Sequence, residues 1–204
     1  RILVLSIFPQ LFPSFFAHGM VRLACERGLL APEVIDLRDF APDPHRTTDD
    51  RPYGGGSGMV MKPGPLAAAL DHARRLAPEA SVILLSAQGR RLTQEAALEL
   101  SRRPGLVLVC GRYEGVDDRL CEEAIPEEIS IGDYVLSGGE VAAMVVIDAV
   151  ARLLPGVLGS PDSAARDSFA DGLLEHPHYT RPAVFAGRAV PEVLTSGAHR
   201  RIAR

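Results

Sequence analysis

The chain has 204 residues, of which 47% are hydrophobic and 24% are charged, and its formal net charge is −4. These values are typical of globular proteins and exclude a disordered chain, and no apolar run is long enough to span a bilayer. The length allows one large domain, or one domain followed by a small one.

The charge is unevenly distributed along the chain. Residues 105–148 are predominantly acidic, whereas residues 172–204 carry more arginines than acidic residues. Acidic surfaces repel phosphates and basic surfaces attract them, so the tail is the better candidate for contact with nucleic acid. Because Lys62 is the only lysine among the 22 basic residues, the pattern also fits a simple bias in composition.

The cysteines and the first strand bear on the cellular compartment. Cys25, Cys110 and Cys121 are an odd number without a CxxC pair, which predicts free thiols rather than disulfides or zinc ligands and fits a reducing environment. The apolar stretch at residues 1–7 lacks a small-residue cleavage site, so we interpret it as a core strand and not a signal peptide. We therefore expect a cytoplasmic protein.

The first part of the chain predicts strands and helices in alternation. After the strand at residues 1–7, helical spacing of apolar residues predicts a helix over 13–28, and a second strand lies within 31–37. The segment 43–58 is a long loop rich in Pro, Asp and Gly. It contains neither a GK[ST] phosphate-binding pattern nor a GxSxG nucleophile elbow.

The middle of the chain repeats a unit of strand, glycine-containing turn and helix. Strands are predicted at 81–85, 106–110 and 128–131, and helices at 65–76, 93–102 and 141–154. Continuous apolar strands separated by helices predict an α/β domain with a mainly parallel sheet. Ser137 is the expected N-cap of the last helix.

Three turns follow the carboxyl ends of these strands, at residues 85–89, 111–115 and 132–139. Ligands of parallel α/β sheets bind at that edge, so the turns predict a pocket of backbone groups with Tyr113 and Tyr134 as walls, suited to a nucleoside-sized ligand. Ordinary connections between strands and helices also favour glycine, which is the alternative. No GxGxxG follows a strand, so a dinucleotide site has little support.

The long helix at 141–154 is apolar on nearly all sides, yet it carries Asp148 and Arg152 four residues apart. An ion pair within the helix is the simplest reason for the arginine. In the tail, Glu175, His176 and His178 suggest a metal site, but their spacing matches no common zinc pattern and an exposed polar turn explains them equally well. The sequence therefore assigns no metal ligands.

Five stretches of the chain together resemble one family, the bacterial tRNA (guanine-N1)-methyltransferases. They are RPYGGGSGMVMKPGPL, LLSAQGRRLTQ, LVCGRYEGVDDR, EEISIGDYVLSGGEVAAMVVIDAVARLLPGVLG and DSFADGLLEHPHYTRP. The resemblance covers the whole length. It implies that a methyl group passes from S-adenosylmethionine to N1 of the guanine immediately 3′ of the anticodon, position 37 of the tRNA.

The resemblance also implies an architecture. It is an α/β fold with a parallel sheet and a deep trefoil knot of the SPOUT type, although neither composition nor periodicity indicates a knot. We expect residues 1–159 to form this domain, 160–171 to be a linker, and 172–204 to belong to a small helical domain that binds tRNA. A homodimer is implied too, and it agrees with an acidic catalytic half that needs a basic surface from elsewhere to hold RNA.

The family's functional positions carry over residue by residue. Asp167 and Arg152 match the two catalytic positions: Asp167 would take the proton from guanine N1, and Arg152 would stabilise the charge that develops on O6. The positions implied to hold S-adenosylmethionine are Leu84, Leu85, Ser86, Ala87, Gln88, Gly89, Gly111, Tyr113, Glu114, Ile131, Gly132, Tyr134, Val135, Leu136, Gly138 and Gly139. Ala87 and Ser57 stand where the family commonly has proline.

Two questions stay open at this stage, and one expectation about the turns follows. The same pocket would serve a non-catalytic module that binds nucleotides or RNA, or a related knotted enzyme that methylates the ribose 2′-hydroxyl. The participation of a divalent ion such as Mg²⁺ is also undecided, and Glu114 is the carboxylate that we consider as its candidate ligand. Finally, we expect a Cβ added at Gly138 or Gly139 to intrude where the backbone meets the ligand.

Overall fold

The computed structural model describes residues 1–159, 167–170 and 172–197. The chain divides into two compact units, Arg1–Arg166 and Asp167–Arg204. Most of the predicted linker and the last seven residues of the tail lie outside the described residues. In the described part of the chain, no helix is long and apolar enough to cross a membrane.

The first unit alternates strands with helices. Its strands are β1 (Ile2–Ser6), β2 (Pro32–Asp36), β3 (Asp49–Asp50), β4 (Val60–Met61), β5 (Ser81–Arg91), β6 (Leu106–Cys110) and β7 (Glu127–Ser130). Its helices are α1 (Pro13–Phe16), α2 (Gly19–Glu26), α3 (Pro63–Leu76), α4 (Gln94–Ser101), α5 (Asp118–Ala124) and α6 (Gly139–Ala151), with 3-10 turns at Pro9–Leu11 and Leu37–Phe40.

Five of the strands form one parallel sheet in the order β2-β1-β6-β5-β7. The predicted parallel α/β fold is confirmed. The short strands β3 and β4 form a separate antiparallel pair within the long glycine-rich region. Because β6 lies in the middle of the sheet and is buried throughout, it is the fixed element against which the neighbouring turns are placed.

Apolar residues on both faces of the sheet form two cores. Ile2 and Val4 of β1 contribute to the core that packs against α2, α4 and α6. Leu3 and Leu5 contribute to the other core, which packs against α3 and α5. Since successive side chains of a strand point to opposite faces, a strand covered by helices on both sides must be apolar at every position. This is why Ile2–Leu5 of β1 and Leu106–Cys110 of β6 are continuous hydrophobic runs.

Three helices differ from the sequence prediction. The helix expected over 13–28 is interrupted between α1 and α2, because His18 is extended and Gly19 has a φ of +61°. Helix α5 was not predicted. Its N-cap is Asp117, whose side chain accepts a hydrogen bond from the Arg119 backbone N–H at 3.2 Å. The predicted N-cap of α6, Ser137, is wrong by one position, since Gly138 occupies it without a side-chain hydrogen bond.

Strand β5 does not end at Leu85 as predicted. Leu85 and Arg90 both pair with Ile129 of β7. The four residues between them, 86–89, are therefore not paired with β7 and form a bulge, after which β5 pairs with β7 again. At the point of return, a Cβ on Gly89 would overlap the backbone C of Glu128 and N of Ile129. Glycine is therefore required here by the close approach of two backbones.

The second unit is small in its described part. It contains a two-stranded hairpin, β8 (Val184–Phe185) and β9 (Arg188–Ala189), and one short helix, α7 (Glu192–Thr195). Ala186 and Gly187 between the strands both have positive φ, as a two-residue hairpin turn requires. The helical character expected of the tail is thus limited to α7 among the residues described here.

A network of four charged side chains ties β5, α4 and β7 together. The Arg90 Nη2 group donates to Glu127 Oε1 at 2.7 Å, Arg103 donates to both carboxylate oxygens of Glu127, and Glu99 pairs with both arginines. Burial alone raises the pKa of Glu127, but the hydrogen bonds from Arg103 and Arg90 outweigh it and hold that pKa below its ordinary value. The network thus stabilises the ionised form where β5 rejoins β7.

We expect Glu127→Gln to lower the free energy of unfolding by about 1–2 kcal/mol at pH 7, because two arginines lose a charged acceptor. A carboxylate with a depressed folded-state pKa stabilises the protein above the unfolded-state pKa of about 4.3, and this contribution is lost as the pH falls through the folded-state pKa. Urea unfolding of the wild type and the variant should therefore converge on acidification toward pH 3.

The matched control is Glu26→Gln. Glu26 forms an exposed pair with Arg22 on α2, so its replacement should change the free energy of unfolding by no more than about 0.5 kcal/mol. Equal effects of the two substitutions at pH 7 would contradict a special role for the Glu127 network.

Candidate functional site

The carboxyl ends of β5, β6 and β7 surround a cavity of about 370 Å³. Three segments build it: the bulge of β5, the turn after β6, and the long connection from β7 to α6. All three lie at the carboxyl edge of the sheet, so the strands of the sheet bring them together. The volume lies within the range of small-molecule sites.

The structure brings nearly all of the predicted cofactor-binding residues together at this cavity. Those that line it are Leu84, Leu85, Ser86, Ala87, Gln88, Gly111, Tyr113, Glu114, Ile131, Gly132, Tyr134, Val135, Leu136, Gly138 and Gly139. Gly89 is the exception, because it does not line the cavity. Glycine is required at this position because the β7 backbone approaches it too closely for a side chain.

Several lining residues were not predicted from the sequence. Asp118 and Cys121 come from α5, and Glu128 comes from β7. The two α5 residues were missed because the helix itself was missed, although Asp117 followed by helix formers is a readable start signal. Arg112 also lines the cavity, and it lies between Gly111 and Tyr113, within a turn that the sequence did single out.

The turn after β6 is held by the strand at the end of the glycine-rich region. Met61 donates its backbone N–H to the Gly115 carbonyl at 2.9 Å, and Glu114 donates its N–H to the Met59 carbonyl at 2.9 Å. Between these anchors, Tyr113 adopts a φ of +61°, which is uncommon for a residue with a side chain. A strained residue fixed by flanking hydrogen bonds is typical of a binding site.

The start of α6 packs directly on the end of β6. Gly139 donates its N–H to the Gly111 carbonyl at 2.8 Å, and a Cβ at Gly139 would lie 2.7 Å from the Cys110 Cα. A Cβ at Gly138 would overlap the Arg112 side chain. The protein's own backbone and Arg112 thus require glycine at these positions, and the expectation that a Cβ here would also intrude on a ligand stays a prediction.

The charges of the cavity favour a ligand with net positive charge. Glu114, Asp118 and Glu128 supply three carboxyl groups, and Arg112 is the only basic side chain among the lining residues of the described chain. The Arg112 guanidinium is already paired with Glu140 at 3.1 Å, which offsets its charge. At the surface, Tyr134 is half exposed and supplies an aromatic wall.

The cysteines near the cavity are not nucleophiles. All three cysteines are free, as predicted. Burial, followed by the charge of Glu140, raises the pKa of the Cys110 thiol well above its ordinary value. Burial and the neighbouring carboxylates, led by Glu128, raise the pKa of Cys121 to about 11. The raised pKa values disfavour the thiolate form that a nucleophilic cysteine needs.

Neither predicted catalytic residue is among the residues that line this cavity. Arg152 caps the C-terminal end of α6 and lines a second cavity of about 380 Å³, together with Asp148, Val141 and Val145 on the outer face of that helix. Asp167 belongs to the second unit, where its carbonyl accepts a hydrogen bond from the Ala170 N–H at 3.1 Å.

The described residues give no support to the hypothesis of a metal site in the tail. His178 Nε2 lies 3.8 Å from Glu175 Oε1. The His178 ring packs edge-on against the His176 ring, with 4.7 Å between the ring centroids. Within ranges 1–159, 167–170 and 172–197, no group of three or more His, Cys, Asp or Glu side chains is arranged to hold a metal ion.

Known proteins match the whole chain. The family profile described as tRNA (Guanine-1)-methyltransferase TrmD covers residues 1–204. A tRNA (guanine-N(1)-)-methyltransferase of Desulfatibacillum aliphaticivorans is 54% identical over 199 residues, which are 98% of this chain and 76% of that protein. The protein of the same name from Pseudomonas paraeruginosa is 56% identical over 203 residues, 98% of this chain and 81% of its own length.

A solved structure agrees with the sequence relatives. The crystal structure of tRNA (m1G37) methyltransferase from Aquifex aeolicus superposes with a TM-score of 0.84 and 41% sequence identity, over 100% of this chain and 85% of that chain. With a family profile matched from end to end and relatives above half identity, the chain belongs to the tRNA (guanine-1)-methyltransferase TrmD family.

Proposed function

We propose that this protein transfers a methyl group from S-adenosylmethionine to N1 of guanine in tRNA, at position 37, immediately 3′ of the anticodon. Family membership supports the methyl transfer to guanine N1, and the observation that carries the proposal is the cavity built by three turns at the carboxyl edge of the sheet. A simple RNA-binding module would need no such small-molecule cavity at the carboxyl edge of a parallel sheet.

The residues of the cavity fit S-adenosylmethionine. Its sulfonium and ammonium groups are positive, and Glu114, Asp118 and Glu128 supply the opposite charge. The backbone of the turns presents N–H and C=O groups for the nucleoside part, and Tyr134 adds an aromatic surface. Participation of Mg²⁺ stays a prediction attached to Glu114.

We also propose that the three turns form the trefoil knot implied by the resemblance. The path of the chain supports this: β7 lies beyond β5 at the sheet edge, yet the segment that follows it returns across β5 to place Gly138 and Gly139 at the end of β6. Residues 1–159 would then be the knotted cofactor-binding domain, 160–171 the linker, and 172–204 part of a tRNA-binding domain in the cytoplasm.

Asp167 is the proposed general base. Neutral guanine carries a proton on N1, so N1 cannot attack the methyl carbon until that proton is taken up by a base. S-adenosylmethionine supplies the methyl group, whose bond to sulfur breaks as the bond to N1 forms. Asp167 matches the family position for this role, and its carboxylate has the acceptor chemistry that the step needs.

Arg152 is the proposed stabiliser of the developing charge. Loss of the N1 proton moves electron density onto guanine O6, and a guanidinium that donates to O6 lowers the energy of that state. Arg152 is placed at the end of a helix whose inner face is buried in the core, so its backbone is rigidly held. A rigid donor loses little energy to reorganisation during the reaction.

We further propose that the protein acts as a homodimer in which the outer face of α6 is the contact. Val141 is 55% exposed and Val145 is 41% exposed in the single chain, and both line the second cavity next to Arg152. An exposed apolar stripe on an otherwise buried helix is typical of an interaction site. A second copy is the partner that fits, because isologous contact buries the same apolar stripe on both subunits.

The test of the proposed function is incubation of the protein with unmodified tRNA and S-adenosylmethionine labelled in the methyl group, followed by nucleoside analysis. Label is expected in 1-methylguanosine, and replacement of guanine 37 by adenine should abolish it. Label in a 2′-O-methyl nucleoside would instead identify a ribose methyltransferase, and no label despite cofactor binding would favour the non-catalytic module.

We expect Asp167→Asn to reduce the single-turnover rate of methyl transfer by about 10²–10⁴-fold, because the amide cannot accept the N1 proton. Affinity for S-adenosylmethionine, measured by calorimetry, should be nearly unchanged. Arg152→Ala should act similarly, by about 10²–10³-fold. Glu192→Gln, which removes an exposed carboxylate on α7, is the matched control and should keep the wild-type rate. Near-normal turnover of Asp167→Asn across pH would refute the base assignment.

We expect Val145→Glu to give a monomer in sedimentation analysis and to lose methyl transfer, because a charge would replace an apolar contact between the two copies. The control is Leu29→Glu, which alters a residue that is also 41% exposed but does not lie on α6; it should remain dimeric and active. A fully active monomer would contradict the proposed assembly.

A further inference from the structure

A buried polar cluster lies beside the cavity and has no part in the proposed chemistry. Glu140, in the first turn of α6, is 1% exposed. Its Oε1 atom accepts a hydrogen bond from Ser6 Oγ at 2.8 Å, and its Oε2 atom accepts one from Arg112 Nε at 3.1 Å. Both carboxylate oxygens are therefore used, one by a residue of β1 and the other by a residue of the cavity wall.

The partners of Glu140 are themselves fixed. Ser6 is fully buried at the end of β1, and its hydroxyl oxygen accepts a hydrogen bond from the Phe8 N–H at 2.9 Å. The Arg112 guanidinium lies over the Phe8 ring, 4.6 Å from its centroid. The aromatic face and the carboxylate together hold the guanidinium in one place.

Burial of a charged pair is costly, so its presence calls for a reason. A carboxylate removed from water loses hydration that only close partners restore, and an apolar pair of the same size would stabilise the fold at least as well. The backbone is also adapted to the pair, since a Cβ at Gly138 would overlap both Arg112 Nε and Glu140 Oε2. The Arg112 side chain thus passes over a glycine to reach its partner.

The cluster joins two separate walls of the cavity. Arg112 belongs to the turn after β6, and Glu140 directly follows the Gly138–Gly139 turn at the start of α6. The backbones of the two turns also touch, through the bridge between Arg112 and Gly138 and the hydrogen bond from Gly139 to Gly111. The side-chain pair reinforces this backbone contact and attaches it to β1.

We propose that Glu140 is a positioning residue for the cofactor site, which acts through Arg112 to hold the 111–115 turn against the 138–139 turn. Glu140 is 1% exposed, and Arg112 is the part of the cluster that lines the cavity. The inference rests on the proposed binding of S-adenosylmethionine at this cavity. It assigns to Ser6 the anchoring of the cluster to the sheet.

The first test is Glu140→Gln, which keeps the size of the side chain and removes its charge. Affinity for S-adenosylmethionine should fall by about 10- to 100-fold in calorimetry, a typical range for coupled polar contacts. The KM for the cofactor should rise in parallel, while kcat at saturating cofactor and the KM for tRNA stay within about threefold of wild type. A purely structural role would instead lower the active fraction and the melting temperature without changing the affinity of the folded protein. Glu26→Gln, on the surface of α2, is the matched control.

A second measurement needs no cofactor. In the ligand-free protein, hydrogen exchange at the amides of residues 111–115 and 138–139 should be faster in Glu140→Gln than in wild type, whereas amides of β2 should be unchanged. Failure of the wild type to bind S-adenosylmethionine would overturn the proposed function, but the exchange result would still report on the cluster. Unchanged exchange and unchanged affinity in the variant would overturn the positioning role.

The dependence on Arg112 is tested by a double-mutant cycle. If Glu140 acts through Arg112, the variant with both Glu140→Gln and Arg112→Gln should bind the cofactor about as well as Arg112→Gln alone. Independent effects, in which the fold-losses of the two single variants multiply, would show that Glu140 does not act through Arg112. Ser6→Ala should shift affinity in the same direction by a smaller factor.

Discussion

The close contact between Gly139 and the end of β6 is the constraint on which the cavity depends. The Gly139 N–H donates to the Gly111 carbonyl, and no room remains between Gly139 and the Cys110 Cα for even one further carbon. Since β6 is central and buried on both faces, it cannot move aside. This contact fixes the end of the connection from β7 to α6, and with it one wall of the site.

The charged residues of the cavity differ from those of the hairpin in the second unit. The cavity presents carboxylates with one arginine that is already paired, which suits a cationic ligand and repels the phosphates of RNA. The described residues of the second unit contain Arg181 and Arg188, and its hairpin exposes Phe185. Arginines beside an exposed aromatic side chain are suited to phosphates and bases. The side chains of the cavity and those of the hairpin are therefore suited to ligands of different charge.

Patterns of neighbouring residues predicted those parts of the fold that depend on interactions between neighbouring residues. The strand at Leu106–Cys110 and the glycine turns were predicted from a few neighbouring residues, and nearly all proposed cofactor residues line one cavity. Features that depend on distant partners were missed. Strand β5 continues past Leu85 only because β7 pairs with it again, and the Ser6–Glu140 hydrogen bond joins residues 134 positions apart. The spacing of apolar residues in a single sequence carries no information about such long-range contacts.

Helix α6 connects the proposed cofactor site to the proposed dimer contact. Its N-terminus at Gly139 forms part of the cavity, its inner face packs on the sheet, and Arg152 follows its last turn. At 1.5 Å per residue, about 20 Å of rigid helix separate Gly139 from Arg152. This distance exceeds the reach of an arginine side chain, so for Arg152 to contact a guanine held near Gly139, the arginine must come from a second copy. If Arg152 has the role proposed for it, the exposed stripe of α6 and the placement of Arg152 have the same explanation, which is the proposed assembly of two chains.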